Sequence, residues 1–236
     1  WLAGGLASYR FTDASGAVTT GADVDYRGQQ SGYTKDPQEA VNYISKHDNE
    51  TIWDISQYKH ATGTALAERV RADNVGMSVI MLAQGIPFLQ AGTEILRSKS
   101  MDRNSYDSGD WYNEIDWTLV TSKWNQGLPR AADNAGHVEQ VKNVILDVTA
   151  VQDQAARQAA LANFKELLAI RKSSPLFRLR NQAQIDQRLK FYNTGPFQVP
   201  GVIAMEIDGC TEPGLTPGEG AMMVIINASD DPRTLS

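Results

Sequence analysis

The chain has 236 residues, 42% hydrophobic and 21% charged, a balance that excludes wholesale disorder. Lys and Arg number 22 against 28 Asp and Glu, and the net charge of −6 excludes a nucleic-acid backbone as a natural partner while admitting a neutral ligand. One cysteine, Cys210, excludes an internal disulfide framework and a cysteine-based zinc site, and no apolar run is long enough to span a bilayer.

In chain order, residues 1–38 are rich in Gly, Ala, Ser, Thr and Asp, with turn pairs at Ser15-Gly16 and Arg27-Gly28, and read as loop. With no leader before Trp1 and no closing element before Ser236, both ends read as cut. Residues 40–45 are a short strand candidate that runs into the polar string Lys46-His47-Asp48-Asn49-Glu50. Helices are predicted over 51–58 and 65–83, the second from the recurrence of Leu66, Val70, Met77 and Met81, with Gly85 as its stop. Residues 86–91, bounded by glycines, suit a buried strand of a parallel sheet. A polar loop bearing Tyr106, Trp111 and Tyr112 spans 104–113. Helical patterns return over 138–148 and over 153–172, the latter with Leu161, Phe164, Leu168 and Ile170 on one face and an end at Ser174-Pro175. Beyond it, 185–192, 202–207 and 222–226 are β-prone runs with no helical pattern between them. The order predicts α/β up to about 177 and all-β after it: residues 1–177 as one domain, 178–236 as another.

Three features invite chemistry. In parallel α/β sheets ligands sit at the carboxyl ends of strands, so His47-Asp48-Asn49-Glu50 would stand at a site mouth. Alternatively Asp48 or Asn49 caps the next helix, with Glu50 in its first turn. The loop over 104–113 mixes rings with carboxylates and amides, which suits sugars; a loop pinned by its own aromatics and Asx turns is the bland alternative. His47, His60 and His137 are too scattered for a helical metal pair, and Gly218-Glu219-Gly220 lacks a full phosphate-binding fingerprint. No Gly-x-Ser-x-Gly elbow occurs. Trp53, Met77 and Met81 read as core.

Val41-Asn42-Tyr43-Ile44-Ser45-Lys46-His47-Asp48-Asn49-Glu50-Thr51 resembles the fourth conserved region of the α-amylase superfamily of glycoside hydrolases, which ends the seventh strand of a (β/α)8 barrel. Gln84-Gly85-Ile86-Pro87-Phe88-Leu89-Gln90-Ala91-Gly92-Thr93-Glu94 resembles the eighth strand. The block from Leu96-Arg97-Ser98-Lys99-Ser100 to Asn104-Ser105-Tyr106-Asp107-Ser108-Gly109-Asp110-Trp111 is similar to bacterial pullulanases, the α-1,6 debranching members. Leu168-Ala169-Ile170-Arg171-Lys172-Ser173-Ser174-Pro175-Leu176-Phe177 is similar to their passage into a C-terminal β-sandwich. The resemblance implies the closing portion of a barrel, then a truncated antiparallel β-sandwich. It implies hydrolysis of α-1,6 links in pullulan and branched dextrins with retention, by two carboxyl groups about 5–5.5 Å apart and a third that bonds the sugar hydroxyls.

On that resemblance Asp48 matches the third, transition-state-stabilising carboxylate and His47 its sugar-bonding neighbour. Asn49, Asn104, Tyr106 and Asp110 fall where relatives line glucose subsites. The family's Arg-x-Asp nucleophile and Gly-Glu acid are not recognisable: Arg71-Ala72-Asp73 lies in a helical pattern and Gly218-Glu219 in the β tail. The expected partners are therefore an α-glucan and a missing N-terminal part of the same polypeptide, without which the chain is inactive. No cofactor is implied with certainty; calcium is the cation that Asp107 and Asp110 could take, against a plain solvated loop. The resemblance also implies an extracellular, cell-surface or periplasmic location. Two alternatives remain: another amylase relative, isoamylase-like or α-1,4-specific, and a non-catalytic carbohydrate-binding module.

Overall fold

A computed structural model describes residues 1–211, 214–215 and 220–235, the side chain of Asp107 excepted. The Gly218-Glu219 pair lies outside the described residues. Two antiparallel hairpins come first, β1 (Arg10–Thr12) with β2 (Val18–Thr20) and β3 (Asp25–Tyr26) with β4 (Gln29–Gln30). β5 (Val41–Asn42), α1 (Ile52–Gln57), α2 (Leu66–Leu82) and β6 (Ile86–Pro87) follow. Next come α3 (Asp110–Asn113), α4 (Ala131–Asn134), α5 (Val138–Ile145), α6 (Gln154–Ser173) and α7 (Gln182–Arg188). β7 (Leu189–Phe191), β8 (Val202–Ile207) and β9 (Met222–Asn227) come last. This is an α/β arrangement with an antiparallel sheet, and it divides into two compact units. Trp1–Asn42, Ser78–Phe88 and Leu167–Ser236 form the first; Tyr43–Met77 and Leu89–Glu166 form the second.

In the first unit the segment expected to be loop carries the two hairpins. Its turn pairs are their turns: Arg27 and Gly28 both have positive φ, as a two-residue hairpin of matching twist requires. β5 and β6 pair in parallel, Val41 opposite Ile86, with Ile86 N–H donating to Ala40 (2.9 Å) and Phe88 N–H to Asn42 (2.8 Å). Gly85 (φ 93°) allows this approach, because a Cβ there would meet the Ala40 carbonyl oxygen at 2.9 Å. β6 is not buried as predicted: Ile86 and Phe88 are exposed. Strand β6 has β5 as its one partner strand among the described residues.

Arg171 is nearly buried and donates to the carbonyls of Met81 (2.9 Å), Ala83 (2.7 Å) and Gly85 (2.7 Å), satisfying acceptors that α2 leaves free at its end. Gln84 bonds the Leu176 carbonyl and the Leu179 N–H with its two amide atoms. β7, β8 and β9 form one antiparallel sheet; Val224 and Ile226 are buried while Met223 and Ile225 face out, the period-two pattern of a one-sided strand. Residues 185–188, predicted as the start of a strand over 185–192, belong to the helix α7. Asn181 caps it, its side chain accepting from Gln184 N–H (2.9 Å), and Gln, Ala and Arg favour helix once capped.

The second unit packs Trp53, Val70, Leu96, Met101, Trp124 and Val141 into one core. Trp53 and Met77 are buried as expected; so is Met81, in the first unit. The cap of α1 is Thr51, whose hydroxyl accepts from Asp54 N–H (3.2 Å). Neither Asp48 nor Asn49 caps the helix, and Glu50 precedes it, because Thr51 is the residue directly before the first helical one. The buried positions of α6 are Arg157, Ala160, Leu167 and Arg171; of the predicted face Leu161 and Phe164 are half-buried, whereas Leu168 and Ile170 face outward. The rotation follows the arginines: Arg157 donates to the carbonyls of Leu119, Gln152 and Val120. Among the described residues no helix is long and apolar enough to cross a membrane.

Candidate functional site

All six candidate residues fall in the second unit. Asp48 forms an ion pair with Lys46, and His47 Nε2 stands 3.5 Å from its other oxygen. Lys46 first, then His47 and Lys99, hold the Asp48 carboxyl below the usual carboxylate range, so it is an anion at neutral pH. Both side chains are open, Asp48 60% and His47 83% exposed, and free of duties inside the core. A carboxylate of this kind can accept hydrogen bonds from hydroxyls without first giving up a structural partner in the interior.

Asn49 adopts the left-handed region (φ 61°), where Asn is better tolerated than most residues. Its carbonyl accepts from Lys99 Nζ at 2.5 Å, and the same ammonium donates to Ser105 Oγ at 3.1 Å. One buried cation thus ties the His47–Asn49 string to the turn after Asn104. Burial pulls the Lys99 pKa down, while Asp54 and Asp102 pull it up. The Asn104 N–H donates to Asp102 Oδ1 (2.8 Å) and its amide to Asp133 Oδ1 (3.1 Å).

Beneath them lies Asp54 of α1, fully buried. It accepts from Ser98 Oγ (2.6 Å), Lys99 N–H (2.8 Å) and Met101 N–H (3.3 Å). Burial pushes its pKa up to about 6 against the pull of those donors. The loop they hold is strained: Leu96, Ser100 and Met101 all have positive φ, a conformation that persists only when surrounding bonds over-determine it.

Tyr106 projects into solvent, 86% exposed, whereas Tyr112 is buried with its hydroxyl on the Leu128 carbonyl (2.7 Å). Trp111 and Tyr112 lie with ring centroids 3.5 Å apart. The loop is therefore pinned by one of its aromatics and offers another. Asp110 is exposed at the start of α3. No hydrogen bond among the described residues joins Tyr106 or Asp110 to His47 or Asp48. Lys99, Ser105 and Asp54 were not singled out by sequence. A lysine between two serines reads as surface, and only its burial shows its work.

No three His, Cys, Asp or Glu side chains converge to hold a metal among the described residues. His137 instead contacts Arg103 (2.7 Å), burial and Arg69 push the His60 pKa down, and Cys210 is exposed.

An α/β chain with an appended antiparallel sheet and a polar string after a parallel strand has close counterparts. Residues 120–236 match the family described as alpha-1,6-glucosidases, pullulanase-type, C-terminal. The whole chain is 41% identical over 237 residues to a pullulanase from Klebsiella pneumoniae, covering 100% of this chain and 22% of that protein. It is also 41% identical over 208 residues to "Pullulanase 1, chloroplastic" of Arabidopsis thaliana, covering 88% of this chain and 22% of that protein. A crystal structure of the maltotriose complex of PulA from Klebsiella pneumoniae matches with a TM-score of 0.94 at 42% identity, over 99% of this chain and 25% of that one. The chain thus resembles pullulanases throughout and spans about a fifth of the length of these curated relatives.

Proposed function

We propose that this chain is the C-terminal part of a retaining glycoside hydrolase that cleaves α-1,6-glucosidic links in pullulan and branched dextrins. Residues 1–177 supply the closing portion of a (β/α)8 barrel and residues 178–236 the start of a β-sandwich. The exposed strand pair β5–β6 is then a barrel edge completed by the rest of the polypeptide. The observation that carries this is identity to pullulanases over the full length together with the matching fold. Neither an isoamylase-like enzyme nor a free-standing binding module is favoured by these matches.

In this mechanism Asp48 accepts hydrogen bonds from hydroxyls of the sugar under attack, which shorten as positive charge grows at its anomeric carbon. His47 bonds the same sugar. Asn49, Asn104, Tyr106 and Asp110 line glucose subsites, with Tyr106 offering a ring face. The nucleophile and the general acid are assigned to the rest of the polypeptide, a reading that the burial of Asp73 on α2, only 2% exposed, supports. A location outside the cell suits a polymer substrate, although the plant relative is named for another compartment.

The test exchanges this chain for the matching segment of the Klebsiella pneumoniae pullulanase. The chain alone should release no reducing ends from pullulan, and the chimera should release them. A soluble, folded chimera without activity on pullulan contradicts the proposal.

A further inference from the structure

The first unit carries a cleft of about 540 Å3 that none of the six candidate site residues lines. Its walls are Trp1, Tyr26, Gln29, Gln30, Ser31 and Tyr33, and no Asp, Glu, Lys, Arg or His side chain takes part. Its size falls within the range of small-molecule sites. The rings are open, Tyr26 62% and Tyr33 57% exposed, yet held. Trp1 and Tyr33 meet edge to face with centroids 5.7 Å apart, and the Arg27 guanidinium lies 5.6 Å from the Tyr26 centroid. Past Trp1 and Ser31, which line both, the cleft adjoins an apolar cavity of about 290 Å3 that is likewise lined by no charged side chain.

The backbone under the cleft is built without slack. Gly21 and Gly32 pack against the Leu6 carbonyl so closely that a Cβ on either would meet its oxygen, at 2.2 and 2.7 Å. Ser31 N–H donates to Val24 (2.8 Å), Gly32 N–H to Gly21 (2.7 Å), and the buried Thr34 hydroxyl to Gly4 (2.8 Å). The rings and amides therefore stand on a fixed platform, which lowers the ordering cost of binding.

We propose that this cleft binds a neutral α-glucan oligosaccharide. Aromatic rings take the apolar faces of the sugars, and the two exposed carboxamides of β4 with the Ser31 hydroxyl supply both donors and acceptors for their hydroxyls. No charged side chain is in the lining itself, and the nearby Arg27 guanidinium lies on the Tyr26 ring. An apolar ligand would leave the carboxamides unpaired, at a cost. The choice of an α-glucan among sugars rests on the function proposed above; the cleft itself does not.

Affinity electrophoresis of the 236-residue chain in gels containing pullulan tests it, with maltohexaose as competitor. The chain should be retarded, and Tyr26→Ala combined with Tyr33→Ala should weaken retention about tenfold or more with only a small drop in melting temperature, since both rings are more than half exposed. Tyr26→Phe with Tyr33→Phe keeps the rings and should keep retention. Absence of retention in the unaltered chain overturns the proposal. So does retention that survives the alanine pair and is lost in Asp48→Ala, a result that leaves the proposed function intact. Ring-dependent retention combined with an inactive chimera would instead remove the proposed function and keep the cleft.

Discussion

Lys99 Nζ lies 2.5 Å from the Asn49 carbonyl oxygen, so a buried ammonium holds in place the backbone that presents Asp48. The same nitrogen reaches Ser105, next to Asn104. The candidate site thus depends on a residue that touches neither candidate carboxylate nor candidate ring.

Replacing Lys99 with Met keeps the stem and removes the donor. Two acceptors lose a charged partner, and the expected loss is roughly 2–4 kcal/mol of stability, read from urea unfolding. In the chimera with the Klebsiella pneumoniae pullulanase, kcat should fall by more than the unfolded fraction explains, because the His47–Asn49 backbone is released. Unchanged kcat in the folded fraction would confine Lys99 to a structural role.

Asp54→Ala removes the acceptor for Ser98, Lys99 and Met101 at once. The positive-φ residues Ser100 and Met101 then lose the bonds that hold them, and roughly 3 kcal/mol or more should be lost. Limited proteolysis should cut first within 96–101. A variant as stable and as resistant as the original chain would contradict the anchoring role of Asp54.

Asp73 is buried on α2, and neither oxygen meets a donor in bonding geometry among the described residues. The nearby Ser56 hydroxyl donates to the Trp53 carbonyl instead (2.9 Å). Burial raises Asp73 from 3.8 to about 7. Between those pH values the unfolded chain has lost a proton that the folded chain keeps, so stability falls as pH rises through this window. It is complete below about 4 and the contribution is gone above about 7; Asp54 adds the same sign up to about 6. Melting temperatures at pH 5 and pH 8 should differ clearly for the chain and less for Asp73→Asn. Equal slopes for the two would remove Asp73 as the source.

Much of the architecture was legible in the sequence where a pattern repeats. α2 announces itself through Val70, Met77 and Met81, and β8 and β9 through their short, mostly apolar β-prone runs. The string at His47-Asp48 stood out because several polar residues follow a strand. Local pattern failed where a cap or a distant partner decided the outcome. Asn181 turned a β-prone stretch into α7, and the carbonyls that Arg157 and Arg171 reach fixed the face of α6. The two early hairpins have strands of three residues or fewer, too short for a period to show. Lys99 and Asp54 could not be found from sequence, since an isolated lysine or aspartate carries no local sign that it will be buried.

Arg171→Ala in this chain leaves the carbonyls of Met81, Ala83 and Gly85 without their cation. The expected cost is about 3 kcal/mol, seen as a lower urea midpoint at unchanged m-value. Arg171→Lys should recover only part of it, because an ammonium cannot match the planar reach of a guanidinium. Full recovery by lysine would show that charge alone matters there.

The most direct measurement is kcat and KM on pullulan for the chimera carrying Asp48→Asn. Asn keeps the size and one acceptor oxygen and removes the charge that favours a cationic transition state, so kcat should fall by about 10²–10³ or more with KM little changed. Stability should hold, because Thr51 and not Asp48 caps α1 and because the Asp48 carboxylate faces solvent. A kcat close to that of the unaltered chimera would contradict the central claim that Asp48 stabilises the transition state.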